Sequence, residues 1–191
     1  MNWTEELFDA VVEADLARVK DSICNGADIF AILNERDILS AAIAWSANVR
    51  QEVIDLLLRS GANPNLQGHD GTTALYWAAS CDKTELVKLL IEAGATVNAE
   101  RPEDGHTSLH AASENGNLDN VKLLLKAGGE SALNRFDYIT RTPLMCAIEK
   151  GSTEIVRALI EAGSDVNAHD KSRIGETALI LASQMGRFDM V

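Results

Sequence analysis

Positive charge is scarce in this 191-residue chain, where 17 Lys and Arg stand against 29 Asp and Glu for a formal charge of −12. A nucleic-acid backbone or an anionic membrane is therefore not the expected main partner, because both are gripped through basic patches. Cysteine is sparse as well. Cys24, Cys81 and Cys146 are an odd number with no CxxC pair, which argues against a disulfide framework or a zinc site and for a reducing compartment. Long apolar runs are missing: the longest candidate, Ile38 to Trp45, is broken by Ser40 and falls far short of the roughly 18 residues of a membrane span. The opening MNWTEELFDA has no basic stretch followed by an apolar one, so the expectation is a soluble protein with a cytoplasmic address. With 3 Pro and 13 Gly beside 46% hydrophobic residues, the composition is globular and not that of a disordered tail or a collagen-like fibre.

What the sequence does hold is internal repetition. Segments GAD, GAN, GAT, GGE and GSD begin at Gly26, Gly61, Gly94, Gly128 and Gly163, at intervals of 35, 33, 34 and 35 residues. A second marker keeps step: TALYWA from Thr73, TSLHAA from Thr107, TPLMCA from Thr142 and TALILA from Thr177, with DILSAA from Asp37 as a weaker copy. Between the markers lie apolar runs, VIDLLL from Val53, LVKLLI from Leu86, VKLLLK from Val121 and IVRALI from Ile155.

Each unit reads as two helices and a turn. Thr is a good N-cap, and Pro143 directly after Thr142 sits where a missing N–H costs nothing, so the first helix starts at this marker. Leu75, Leu109, Leu144 and Leu179 fall three residues before Ala78, Ala112, Ala147 and Ala182, which puts them on one helical face. Gly116 and Gly151 break the first helix, and the apolar run supplies the packing stripe of the second. The Gly of each GA segment then follows as a C-terminal cap of positive φ. A unit this short cannot bury its stripe alone, so the units must stack.

The T-P-L-x-x-A marker at this period resembles the ankyrin repeat family, most fully in DGHTSLHAASENGNLDNVKLLLKAG (104–128) and TPLMCAIEKGSTEIVRALIEAGSDVNA (142–168). The resemblance implies an all-α ankyrin repeat solenoid of stacked helix-turn-helix units with projecting turns. It implies a single domain over 1–191, with repeats near 3–33, 34–68, 69–101, 102–136 and 137–170 and a partial one at 171–191. The chain also departs from the pattern. The marker His survives only as His110, replaced by Tyr76, Met145 and Ile180. Repeat two carries extra residues around Ala47 to Arg50, and repeat four two extra near Ser131. The first unit, Glu5 to Ala31, lacks the Thr marker and is rich in charge, as suits a solvent-facing cap.

Catalytic motifs fail on physical grounds. His106 and His110 are four apart, the spacing of a helical metal chelate, but His106 precedes the cap Thr107 and is not expected to share a helical face with His110, which reads as a structural residue. His69 and Asp70 suggest a base and its orienter, yet adjacent turn residues point apart and no nucleophile of matching spacing is evident. There is no GxxxxGK phosphate loop and no GxSxG elbow, so neither catalysis, a cofactor nor a metal is expected. Cys146 reads as a small core hydrophobe. Trp77, in register with Ala41, Ala111, Cys146 and Leu181, reads as interior packing. Trp45 falls at a first-helix end, where it is either a partner anchor or packing for the Ala47–Arg50 turn.

Acidity is concentrated toward the amino terminus, with net charges of −6 over residues 1–60, −5 over 61–134 and −1 over 135–191. The resemblance implies noncatalytic protein binding through the turns and first-helix ends, and the charge suggests a partner protein with a basic surface. The candidate contacts are Trp45, His69, Asp70, Glu103, Asp104, His106, Glu114, Tyr138 and Arg141. An inhibitor or immunity-type protein that blocks a toxin or enzyme is one alternative, and a regulatory segment of a larger enzyme or effector is another. The last unit begins normally, but only Met190 and Val191 match the start of its apolar run. The expectation there is a truncated array, or an end covered by a partner or a second copy of an otherwise monomeric chain.

Overall fold

Four threonines start four helices. In the computed structural model, which describes residues 2–34, 36–45, 50–169, 176–187 and 190, Thr73, Thr107, Thr142 and Thr177 each accept a hydrogen bond from the backbone N–H three residues on, at 3.3–3.4 Å. The described helices are α1 (Trp3–Val12), α2 (Leu16–Cys24), α3 (Ile38–Ala44), α4 (Gln51–Arg59), α5 (Ala74–Ser80) and α6 (Thr84–Glu92), followed by α7 (Ser108–Asn115), α8 (Leu118–Lys126), α9 (Pro143–Lys150), α10 (Thr153–Glu161) and α11 (Ala178–Gln184). The fold is of the expected all-α, repeat-solenoid class. Its one described sheet is a two-residue antiparallel hairpin, β1 (Ile32–Leu33) with β2 (Arg36–Asp37), which period-34 patterning does not announce.

The chain groups into two compact units, Met1–Ala78 with Glu85–Thr96, and Ala79–Thr84 with Val97–Val191. In the first, α1 packs on α2 and α3, and α4 packs on both α2 and α3, around Leu7, Leu39, Ile54 and Leu57, all fully buried. In the second, α7 packs on α8 and α9, and α9 on α10 and α11, around Leu109, Leu124, Leu144 and Leu159. Burying each such Leu contributes roughly 1.5–3 kcal/mol.

Where the Thr marker is missing, another group does its work. Asp37 caps α3, its Oδ1 accepting from Leu39 N at 3.0 Å and Ser40 N at 3.1 Å. Burial pushes its carboxyl above the ordinary range, against the pull of the Ser40 hydrogen bonds. The Gly of each GA segment has the positive φ its place requires, between 85° and 99°. The two extra residues near Ser131 are taken up by a 3-10 turn, Gly129–Ala132.

One expectation fails. Leu179 shares the register of three buried leucines, yet it is 57% exposed while Ala178 and Ala182 are buried, because α11 packs on α9 through its alanine side and no described helix lies over Leu179. Residues 47–49 of the Ala47–Arg50 turn and Val191 lie outside the described residues, as does the start of the last unit at 171–175.

The repeats are also tied by a side chain that the markers do not contain. Asn65 donates to Gly94 O at 3.0 Å and accepts from Thr96 N at 2.6 Å. Asn98 donates to Gly128 O at 2.8 Å, and Asn134 accepts from Asp165 N at 2.8 Å. Each Asn thus joins its own repeat to the cap of the next. In the second unit the buried Asn120 donates to Ala79 O and Cys81 O at 3.2 and 2.8 Å, beside the bonds these carbonyls take from the Asn117 side chain and from Lys83 N.

Three described non-glycine residues, Ala14, Asn34 and Thr140, have positive φ, and of these Thr140 is the β-branched one. Two residues before Thr73 and Thr107 stand Gly71 and Gly105, at φ +71° and +67°; two before Thr142 stands Thr140, at φ +71°. A β-branched residue in this region costs roughly 1–2 kcal/mol. Thr140→Gly is therefore expected to raise stability by about 1 kcal/mol after the larger chain entropy of Gly is subtracted, read as a higher urea midpoint at unchanged slope; a lower midpoint would show that the Thr140 side chain is worth more than its strain.

Candidate partner-binding surface

In the second unit two neighbouring turns are laced together by their backbones. Arg101 N donates to His106 O at 3.0 Å and Asp137 N to Arg141 O at 2.9 Å, closing each turn, and Tyr138 N donates to Asp104 O at 2.8 Å, joining them. The Asp104 carboxylate faces inward, accepting from His106 N at 3.0 Å and pairing with Arg101 Nη1 at 3.3 Å. What the turns present outward is Glu103, exposed, and the Tyr138 ring, 72% exposed.

Behind this tip lies a buried polar cluster. Asp137 holds its turn by accepting from Ile139 N at 3.1 Å, Arg141 N at 2.8 Å and Arg141 Nε at 2.9 Å. Arg141 Nη1 reaches Glu149 at 2.8 Å and Glu114 at 3.4 Å, so this expected contact residue is engaged in holding the turn. His106, also expected at the surface, is buried at 5% exposure with Nε2 3.6 Å from Glu114. Its ring lies on that of His110 at 4.8 Å between centroids, although it precedes the cap Thr107 and shares no helical face with His110. Thr107 is extended, φ −111° and ψ 168°, and that bend folds the residue before the cap back over the first helical turn.

His110 is the most constrained side chain here. Its Nδ1 accepts from Thr107 N at 3.2 Å, which leaves the proton on Nε2, and Nε2–H donates to Arg135 O and Arg141 O at 3.1 and 3.2 Å. Burial first, and then the neighbouring His106, lower its pKa to about 4. Burial lowers that of His106 as well, opposed by Glu114. Beside them Cys146 is fully buried, and burial pushes its thiol up to about 12 against the pull of Arg141. An inaccessible, protonated thiol is not a nucleophile. One donor atom each of His106, Asp137 and Cys146 lie within 4.8 Å of one another.

The first unit holds a different arrangement, absent from the sequence expectations. The Arg36 guanidinium, carried by β2, sits 4.0 Å from the Trp77 ring centroid and 5.1 Å from that of Trp45, a cation held by two indoles. Phe8 meets Trp45 edge-on at 5.7 Å. Trp45 is thus a half-packed residue, 38% exposed. Trp77 is only half-buried, and its Nε1 donates to Thr72 Oγ1 at 3.0 Å, which donates in turn to Asp70 Oδ1 at 2.5 Å. Asp70 is therefore a turn-holding acceptor, while its neighbour His69 is exposed.

Comparison with known proteins places this geometry. The sequence model of ankyrin repeats (3 copies) matches residues 39–137 and 130–191. The chain belongs to the ankyrin repeat family. Ankyrin repeats are in general protein–protein interaction modules and noncatalytic scaffolds. Among curated relatives, the ankyrin repeat protein FPV233 of fowlpox virus (strain NVSL) is 36% identical over 74 residues, 38% of this chain and 14% of that protein. The E3 ubiquitin-protein ligase KEG of Arabidopsis thaliana is 33% identical over 79 residues, 37% of this chain and 5% of the ligase. The chain thus spans a small part of the length of both relatives.

The depressed histidines make stability depend on pH with a definite sign. An unfolded His110 takes its proton near 6.5 and the folded one near 4, so the unfolded state binds the proton first as pH falls. Stability is full above 6.5 and declines between 6.5 and 4, by at most about 3 kcal/mol from this group. Urea titrations of the wild type and of His110→Gln are expected to converge across that window, the variant being weaker at pH 7 and less sensitive to acid; parallel curves would remove His110 as the cause.

Proposed function

We propose that this ankyrin repeat chain is a noncatalytic binding protein, and that its second unit holds a partner protein by Tyr138 with the acidic Glu103 beside it. The observation that carries the proposal is an aromatic ring at 72% exposure on a turn whose backbone is fixed by Asp137 and by the bond to Asp104. Tyrosines are frequent binding anchors, and a preorganised backbone lowers the entropy lost on association. The net charge of −12 supports a basic face on the partner, which salt would weaken. An inhibitor or immunity-type role would use the same surface against a basic active site. A recognition segment within a larger enzyme or effector is supported by the small share that the match covers of a ubiquitin ligase.

Affinity capture with the full chain tests the anchor. Tyr138→Ala and Glu103→Lys are each expected to weaken retention of the captured protein by about tenfold, a loss near 1.4 kcal/mol, while leaving the circular dichroism unchanged. A partner retained equally by both variants would move the binding surface elsewhere.

A further inference from the structure

We propose that His106, Asp137 and Cys146, with Glu114 as fourth ligand, form a zinc site that pins the two joined turns of the second unit to α9. This goes beyond partner binding and does not depend on it.

The donor set is one imidazole, one thiol and carboxylates, the combination suited to zinc rather than to calcium or magnesium, which take oxygen alone. His106, Asp137 and Cys146 are all buried, with their donor atoms mutually within 4.8 Å. Zinc bonds of about 2.0–2.3 Å in a tetrahedron put donors roughly 3.3–3.8 Å apart, so His106 and Cys146 would need to close by about 1 Å on Asp137, whose Oδ1 is fixed by its turn. Glu114 is already 3.6 Å from His106 Nε2, and its side chain is 46% exposed, which gives the ion an entrance.

Charge provides an independent reason. Asp137, Glu114 and Glu149 converge on the single guanidinium of Arg141, three negative charges against one positive. A divalent ion neutralises that excess. On binding, the Cys146 S–H bond breaks, the sulfur–zinc bond forms and the proton leaves to solvent, so four anions then face three positive charges. Arg141 contacts two of these ligands, Asp137 and Glu114, so binding moves its Nη1 off Glu114 and onto Glu149 alone, the shorter of its two contacts at 2.8 Å against 3.4 Å. Asp137 Oδ2, which takes only Arg141 Nε at 2.9 Å, keeps a lone pair for the metal.

The test uses the full chain with Cys24→Ser and Cys81→Ser, leaving Cys146 as its only thiol, and cobalt(II) as a spectroscopic stand-in for zinc. The expected result is one cobalt per chain with a thiolate-to-cobalt charge-transfer band in the near ultraviolet, abolished by one equivalent of zinc, and a melting temperature that zinc raises by several degrees. Adding Cys146→Ser should remove the band, His106→Asn should weaken zinc binding by about tenfold or more, and His69→Asn should change neither. Absence of the band in the parent protein overturns the site whatever the variants do. Zinc stabilisation of the Cys146→Ser or His106→Asn protein equal to that of the parent also overturns it, and would mark the ion as bound to surface carboxylates while Cys146 merely fills the core.

Discussion

A helix of seven to ten residues does not stand by itself in water, and every described helix of this chain is in that range. Isolated helices below about 12–15 residues are marginal because nucleation is costly, so each one exists only as a wall against which the next is built. The constraint explains the economy of the sequence. A Thr, a Leu and an Ala per unit fix where the first helix begins and which side it buries, and a Gly fixes where the second ends. Residues between these points are released for other uses.

Apolar stripes press helices together without fixing their alignment, since one Leu serves as well as another. Alignment comes from side chains that reach backbone groups one repeat away: Asn65 to Gly94 and Asn98 to Gly128, Asn120 to the end of α5, His110 to Arg135 and Arg141. Such bonds are directional, and those of Asn120 and His110 are part-buried, so a slipped register leaves their donors and acceptors without partners. The acidic residues divide along the same line. Asp37, Asp70, Asp104 and Asp137 are consumed by turns and caps, and the charge seen from outside comes from others such as Glu103.

That division marks how far the sequence could be read. Helix starts and stops were legible because caps are local, and a Thr or Gly meets its partner within four residues. Tyr138 was legible as exposed because it stands between a turn aspartate and the marker. His106 was misplaced because its burial depends on the imidazole of His110 and on Glu114, eight residues on and across a helix. The pairing of Arg36 with Trp45 and Trp77 spans 41 positions and leaves no spacing signature, since a cation–π contact constrains only placement over a ring. The Asn ties do recur at the repeat period, and alignment of Asn65, Asn98 and Asn167 was the available signal; the shift to Asn134 by the two extra residues near Ser131 hides it. His106, Asp137 and Cys146 come from three separate elements, so only stacking brings them together.

The indoles that flank Arg36 have a practical consequence. The chain has three Trp, Trp3, Trp45 and Trp77, and all three belong to the first unit. Tryptophan emission therefore reports on that unit and is blind to the second, whereas far-ultraviolet ellipticity sums over helices in both. A fluorescence melting curve of this protein describes less than half of its architecture, and any difference between the two optical signals measures how far unfolding in one unit spreads to the other.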